Sequence, residues 1–336
     1  MTKSLLFMCF AAVLFCPSHA WAWGCEGHQV IAYIAEHELT PTALSQADTL
    51  LNSIAIDIHR NCTVSPGTTP MSDAATWADD VRFIRSKTAP WHFIDVPLDH
   101  AGEDPMQWCN NDCVLSALKN QLAILRDDSA GESTERVEAL RFIIHFVGDV
   151  HQPLHAATDA DRGGNCDPVT FDRKPHASRG SYSPELHGIW DTQMVAELGD
   201  KSQVDDAQSL AQLLDKEITD SERGSWNNST PTDWAIESTK FAVSTAYVGL
   251  TKANGAMATA SDFVNSEVNM KCVPVVEARI AAMGVNANDN YRDAAEAVIE
   301  QRLKQAGVRL AKLLNDTWPD ESVNAHRTSI HKTPSR

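Results

Sequence analysis

The residues best suited to chemistry lie in His145-Phe146-Val147-Gly148-Asp149-Val150-His151-Gln152-Pro153-Leu154-His155. His145 and Asp149 are four residues apart, so a helix places an imidazole and a carboxylate on one face, within reach of one cation. Pro153 should end or bend that helix and turn His155 back toward the same cavity. Gly148 leaves room for close approach of backbone or ligands. A merely solvated polar face is the weaker account, because the apolar flank from Phe142 to Phe146 makes unpaired polar groups costly to bury. Leu186-His187-Gly188-Ile189-Trp190-Asp191 repeats the four-residue spacing. With His155 it offers two imidazoles and a carboxylate, a set that suits zinc and leaves positions for water or substrate. Trp77-Ala78-Asp79-Asp80 and Trp91-His92-Phe93-Ile94-Asp95 supply Asp79 and His92, which could join His145 and Asp149 around a second ion. A packed histidine or a helix cap would explain either residue alone. Neither explains why tryptophan, acid and histidine recur together in three separated places.

Helices must position these groups. Apolar residues recur at helical spacing through His28, Ile31, Ala32, Ala35 and Leu39, and again through Val137, Leu140, Ile143, Ile144 and Val147. Further helices are expected over 44–54, 115–125, 192–198, 209–218, 234–250, 261–282 and 291–314, with Pro231 and Pro274 marking starts or interruptions. Strand-like alternation is scarce, and a short hairpin is entertained only near 91–96 and 167–171. The expectation is therefore an all-α fold, a single mainly helical domain with long loops at 60–80 and 156–186 around the site.

The first residues speak to compartment. Lys3 precedes an apolar run, Leu5 to Phe15, too short to span a bilayer, and Ser18-His19-Ala20-Trp21-Ala22 carries small residues where a signal peptidase reads. Cleavage after Ala22 is expected, giving a signal peptide 1–22, a catalytic domain 23–315 and a polar tail 316–336. The product would be exported, to periplasm or medium, as a monomer with no stable membrane association. Cys25, Cys62, Cys109, Cys113, Cys166 and Cys272 then remain, an even number in an oxidising compartment. Cys109 and Cys113 could close a local loop; spacing leaves the other pairings open, with Cys25–Cys62 and Cys166–Cys272 as a reasonable guess. Asn61-Cys62-Thr63 and Asn228-Ser229-Thr230 fit the glycosylation pattern.

Cleavage would also create a ligand. Trp23 would present a free α-amine and a carbonyl oxygen five residues from His28, and Asp149, with two carboxylate oxygens, could bridge this third ion to the second. Until cleavage the Trp23 nitrogen is an amide that cannot ligate, so the leader would act as a chemical lock.

Taken together, Trp23-Gly24 with Gly27-His28, Trp77-Ala78-Asp79, Trp91 through Asp95, His145 through His155, Gly163-Gly164-Asn165 and His187 through Asp191 resemble the S1/P1 nucleases, the zinc-dependent type I nuclease and 3'-nucleotidase family. The pieces stand in the family's order over about residues 23–315. The resemblance implies a helical fold related to zinc-dependent phospholipase C enzymes and three zinc ions per chain. It implies one zinc on Asp79, His92, His145 and Asp149, another on His155, His187 and Asp191, and a third on Trp23, His28 and Asp149. It also implies cleavage of single-stranded DNA and RNA at the P–O3' bond to leave 5'-phosphates, with 3'-nucleotides as further substrates. Asp79 and Asp149 would be catalytic through their metals and Arg82 through a phosphoryl oxygen. Phe93 and Asp95 resemble the family's base pocket, Asn165 would orient phosphate or a loop, and His151 reads better as a buried hydrogen-bonding residue than as a tenth ligand.

Charge fits this reading. The chain carries a formal net charge of -17, one unit more negative once Lys3 is lost. That argues against tracking along duplex DNA, which usually needs a basic surface. Three dications would outweigh the carboxylates of Asp79, Asp149 and Asp191, so the cavity could still draw a polyanion. Two other readings are a zinc phospholipase C, using the same chemistry on a lipid phosphodiester, and a secreted zinc-binding protein without turnover.

Overall fold

The computed structural model describes residues 23–60, 62, 67–171, 184–263 and 271–320. The expected leader, most of the expected tail, Asn61 and Thr63, and stretches of both expected long loops lie outside the described residues, as does the middle of the helix expected over 261–282. The described chain is a succession of helices: α1 (Cys25–Glu38), α2 (Pro41–Ser53), α3 (Pro70–Ala74), α4 (Trp77–Val81), α5 (Val114–Leu125), α6 (Thr134–His151), α7 (Leu186–Gly188), α8 (Met194–Lys201), α9 (Ala207–Glu217), α10 (Asp220–Trp226), α11 (Pro231–Phe241), α12 (Ala260–Phe263), α13 (Pro274–Met283) and α14 (Asp289–Thr317). The all-α expectation holds.

Local chemistry sets the boundaries. Proline is the first residue of α2, α11 and α13, where its missing N–H costs nothing. The Thr40, Ser133, Thr230 and Asn288 side chains accept hydrogen bonds from the first turns of α2, α6, α11 and α14. α6 stops at Gln152, just before Pro153, and a 3-10 turn over Pro153–His155 carries His155 onward. The helix expected over 234–250 is shorter, passing into a π-helical turn at Ala242–Ala246. α10 was not expected; its few apolar residues give no periodic stripe, but a Thr219/Glu222 capping box starts it. The last helix reaches Thr317, into the expected tail.

The expected hairpins are replaced by something non-local. Val96-Pro97 (β1) pairs in parallel with Ala157-Thr158 (β2), Val96 opposite Ala157. Near 167–171 only isolated bridges form among the described residues, Pro168 with Glu185 and Thr170 with Asn286. These segments are too short to show period-two alternation, so the pairing partner was not readable from sequence.

The core is built on two long helices. α1 lies against α14, α9 and α3, while α6 is flanked by α5, α14, α11 and α2. Gly307 on α14 lets α1 approach closely, since a Cβ there would stand 2.5 Å from the Ile34 Cβ. Arg302 and Arg309 of α14 are buried and held by Glu237, at 2.6 Å from its Oε2 in each case. Arg309 also meets His151 Nε2 at 2.9 Å, and His151 Nδ1 meets the Val147 carbonyl at 2.7 Å. Burial, with Arg302 and Arg309 beside it, holds His151 well below the usual imidazole range, so it is a neutral, hydrogen-bonded part of the core.

Disulfides join Cys25 to Cys62, Cys109 to Cys113 and Cys166 to Cys272. The first fixes the start of α1, next to the amino-terminal residues of the site.

Candidate metal centre

Four elements converge beneath α6. α6 presents His145 and Asp149 one turn apart, α1 presents His28, α4 presents Asp79, and the 3-10 turn ending at His92 presents that imidazole. Gly148 allows the first meeting: a Cβ there would stand 2.7 Å from His28 Nδ1. The His28 and His145 rings stack with centroids 3.9 Å apart. His187 and Asp191 come from α7 and the π-helical turn Ile189–Gln193 that continues it. That wider turn was not expected.

The distances describe coordination polyhedra. Asp149 Oδ2 lies 3.1 Å from His92 Nδ1 and 3.2 Å from His145 Nε2. Those two nitrogens are 3.1 Å apart and lie 3.6 and 3.8 Å from Asp79 Oδ1. Asp149 Oδ1 faces the other way, 3.4 Å from His28 Nε2. In the remaining group His187 Nε2 is 3.0 Å from both His155 Nε2 and Asp191 Oδ2. Zinc bonds of about 2.0–2.1 Å at tetrahedral angles separate ligand atoms by roughly 3.3 Å. The groups His28/His145/Asp149, Asp79/His92/His145 and His155/His187/Asp191 each converge closely enough to hold an ion.

Three of the histidines and Asp191 are tied down so that these atoms face inward. His145, His155 and His187 direct Nδ1 to the carbonyls of Ala75, His92 and Gly163 at 2.7, 2.8 and 2.7 Å. A proton on Nδ1 leaves Nε2 as the ligand, the usual arrangement around zinc. Gln152 Nε2 donates to Asp191 Oδ1 at 2.6 Å, leaving Oδ2 for the cluster. By contrast, no hydrogen bond reaches Asp79 Oδ1, Asp191 Oδ2 or either oxygen of Asp149, all of them buried. Buried carboxylate oxygens without a hydrogen bond fit a centre that accepts cations.

The electrostatics say the same. Burial opposes a charged His145, but Asp149 and Asp79 outweigh it and push the imidazole up to about 9. Burial pushes Asp149 up to about 7 in spite of His145 beside it. Burial, then the neighbouring histidines, holds His92 and His155 well below the usual range. Protons and metal ions compete for such atoms, and a dication satisfies both kinds of ligand at once.

The other expected residues fall around this centre. Trp23 is fully buried, and its indole donates to the Gly148 carbonyl at 2.9 Å. The Gly24 N–H donates to the Asp191 carbonyl at 2.7 Å, so the residue expected to carry the α-amine is seated between two of the groups. Arg82 pairs with Asp79 at 3.4 Å. Phe93 is half-buried and Asp95 exposed. Asn165 donates to the Arg162 carbonyl at 2.7 Å, which places it in the service of its loop. Missed from sequence were Gln152 as a donor to Asp191 and Phe83, whose ring has the Arg60 and Arg82 guanidiniums 5.0 and 5.9 Å from its centroid. An aromatic next to Arg82 was the available signal for Phe83. For Gln152 there was none, because its partner lies 39 residues away.

Known proteins agree with this geometry. The S1/P1 Nuclease family model matches residues 23–287. Nuclease PA3 of Penicillium sp is 29% identical over 89% of this chain and 99% of its own length. Nuclease S1 of Aspergillus oryzae is 28% identical over 91% of this chain and 95% of its own. Endonuclease 2 of Arabidopsis thaliana is 28% identical over 90% and 93%. With three metal-binding groups in place and the family model matching from Trp23 through the last of them, this chain belongs to the S1/P1 nuclease family.

Proposed function

We propose that this zinc-dependent nuclease cuts single-stranded DNA and RNA at the P–O3' bond, leaving 5'-phosphates, and releases phosphate from 3'-nucleotides. The observation that carries the reading is Asp149, buried between two groups of ligands, with one oxygen toward His28 and the other toward His92 and His145. Asp79, His92, His145 and Asp149 would hold one zinc, His155, His187 and Asp191 another, and His28, Asp149 and the amine and carbonyl of Trp23 the third. Bound there, zinc supplies a Lewis acid for phosphoryl oxygen and lowers the pKa of water from about 15.7 toward 7.

The protein's own groups do the rest. Arg82, beside Asp79, would hold a non-bridging phosphoryl oxygen. Phe93 offers a ring for a base to stack on, worth about 1–3 kcal/mol per base, and Asp95 offers a carboxylate to an exocyclic amine. The hydrogen bonds that His145, His155 and His187 donate to the carbonyls of Ala75, His92 and Gly163, and the one that Gln152 donates to Asp191, keep these ligands in register without reorganisation during turnover. The acidic surface disfavours a duplex and leaves single strands, ends and mononucleotides as substrates.

Three disulfides support export to an oxidising space, periplasm or medium, after removal of 1–22. No helix among the described residues is long and apolar enough to cross a membrane. A monomer suffices, since every proposed ligand comes from one chain.

Purified protein beginning at Trp23 should release phosphate from 3'-AMP and shorten single-stranded DNA and RNA to 5'-phosphate products. Both activities should vanish with a chelator and return with zinc. Turnover of phosphatidylcholine alone would make it a phospholipase C, and zinc binding without turnover of any phosphoester would make it a non-catalytic zinc protein.

A further inference from the structure

The ring offered to a base, Phe93, belongs to a segment tied on two sides. One side is laced to His155: the His92 carbonyl accepts from His155 Nδ1, and the Ile94 N–H donates to the His155 carbonyl, each at 2.8 Å. The other side meets the short loop that Cys109 and Cys113 close. There the Val114 N–H, at the start of α5 where a helix leaves its donors without an internal partner, donates to the Phe93 carbonyl at 3.0 Å. Asp112 Oδ1 accepts from the Trp91 indole N–H at 2.9 Å. Phe93 is extended, φ -149° and ψ 172°, and directly follows the 3-10 turn over Ser86–His92 that carries Trp91.

The loop is stiff in its own right. The Asp112 N–H donates to the Cys109 carbonyl at 2.9 Å, and the Cys113 N–H donates to Ser116 Oγ at 3.1 Å. Asn110 and Asn111 take up left-handed backbone, φ 46° and 60°, which asparagine tolerates better than most residues. Trp91 lies edge-on to Phe142 with centroids 5.5 Å apart. That contact gives the indole a surface to rest on, and the directional bond to Asp112 fixes how the ring is turned. The attachments divide the labour: those to His155 hold His92 for the metal, and those to residues 112 and 114 hold Trp91 and Phe93. A ring held in advance gives up little freedom when a base stacks on it.

We infer that Asp112 is a positioning residue for nucleobase binding: through the Trp91 indole, and together with the Val114 N–H, it holds Phe93 where a base stacks, an assignment that rests on the stacking role proposed for Phe93. Asp112 is exposed, so replacing it puts no core packing at risk.

The test uses zinc-saturated mature protein and measures KM and kcat for 3'-AMP, with the inhibition constant of inorganic phosphate, which has no base. Asp112→Ala should raise KM about fivefold, the worth of one such hydrogen bond, and neither kcat nor the phosphate constant should follow. Asp112→Asn keeps Oδ1 as an acceptor and should restore the parent KM. Trp91→Phe removes the N–H, and on that background Asp112→Ala should cost nothing more. Phe93→Ala should raise KM at least as far as Asp112→Ala does. A loss in Asp112→Ala that falls equally on kcat or on phosphate inhibition would show that the loop only supports the metal centre. An unchanged KM would show that Phe93 keeps its place without Asp112, and a further cost on the Trp91→Phe background would show that Asp112 acts by another route; each of these overturns the assignment. An unchanged KM in Phe93→Ala would instead remove the stacking role itself, and Asp112 would then have nothing to position.

Discussion

Gly148 and Gln152 do their work through other residues. A methyl group at position 148 would strike His28 Nδ1, 2.7 Å away, in a ring that is already stacked on His145. His28 must then move, and the ion shared with Asp149 loses a ligand. Gly148→Ala is expected to retain its fold, bind fewer than three zinc ions by metal analysis, and lose on the order of 100-fold in 3'-AMP turnover, the cost of misplacing a reacting group by about 1 Å. Full zinc occupancy with full rate would show that His28 is not a ligand. Gln152 has two tasks: Oε1 accepts from the Leu154 N–H at 2.6 Å, and Nε2 donates to Asp191. Gln152→Glu keeps the first and removes the second, so zinc affinity or activity should fall about 10–100-fold. A Glu variant with wild-type zinc affinity would make the hydrogen bond to Asp191 irrelevant.

Between elements, the contact of α1 with α14 sets where His28 and Trp23 can be. Its closeness depends on Gly307, against which Ile34 packs. Gly307→Ala should cost about 1–3 kcal/mol in urea denaturation through overpacking, and Ile34→Val in the same chain should restore part of it. A null effect would show that the two helices separate without loss. The helices themselves were legible from residue types: α1 and α6 from apolar spacing, the starts of α11 and α13 from Pro231 and Pro274. The break at Ala242 and the π-turn at Ile189 were not, because each is a single turn, too short to carry a periodic pattern of its own.

For the whole molecule, net charge and buried acids govern the response to pH. Glu36 on α1 is pushed up to about 7 by burial, a hydrogen bond from Thr69 opposing it and Asp48 of α2 adding to it. The folded protein therefore holds this proton between pH 4.5 and 7 while the unfolded chain releases it. Stability from this group falls as pH rises through that window, by on the order of 2–3 kcal/mol. Glu36→Gln should match the parent near pH 4.5 and exceed it at pH 8 in thermal or urea unfolding; equal stability at both pH values would show that Glu36 is ionised at no cost. An acidic exterior around cation-accepting groups disfavours a rigid duplex more than a single strand that can reach the cavity.

The sequence by itself determined the chemistry: which residues could ligate, in what order they come, and that helices would carry them. That was possible because His145 and Asp149, and His187 and Asp191, sit four residues apart, within the range of local periodicity, and because proline and cysteine mark structure wherever they occur. Tertiary structure alone decided which oxygen of Asp149 serves which group, which carbonyl orients His145, His155 and His187, and that Val96 pairs with Ala157. These depend on contacts between distant parts of the chain, such as Trp23 with Gly148 and His187 with Gly163, and no local pattern records the folding that brings them together.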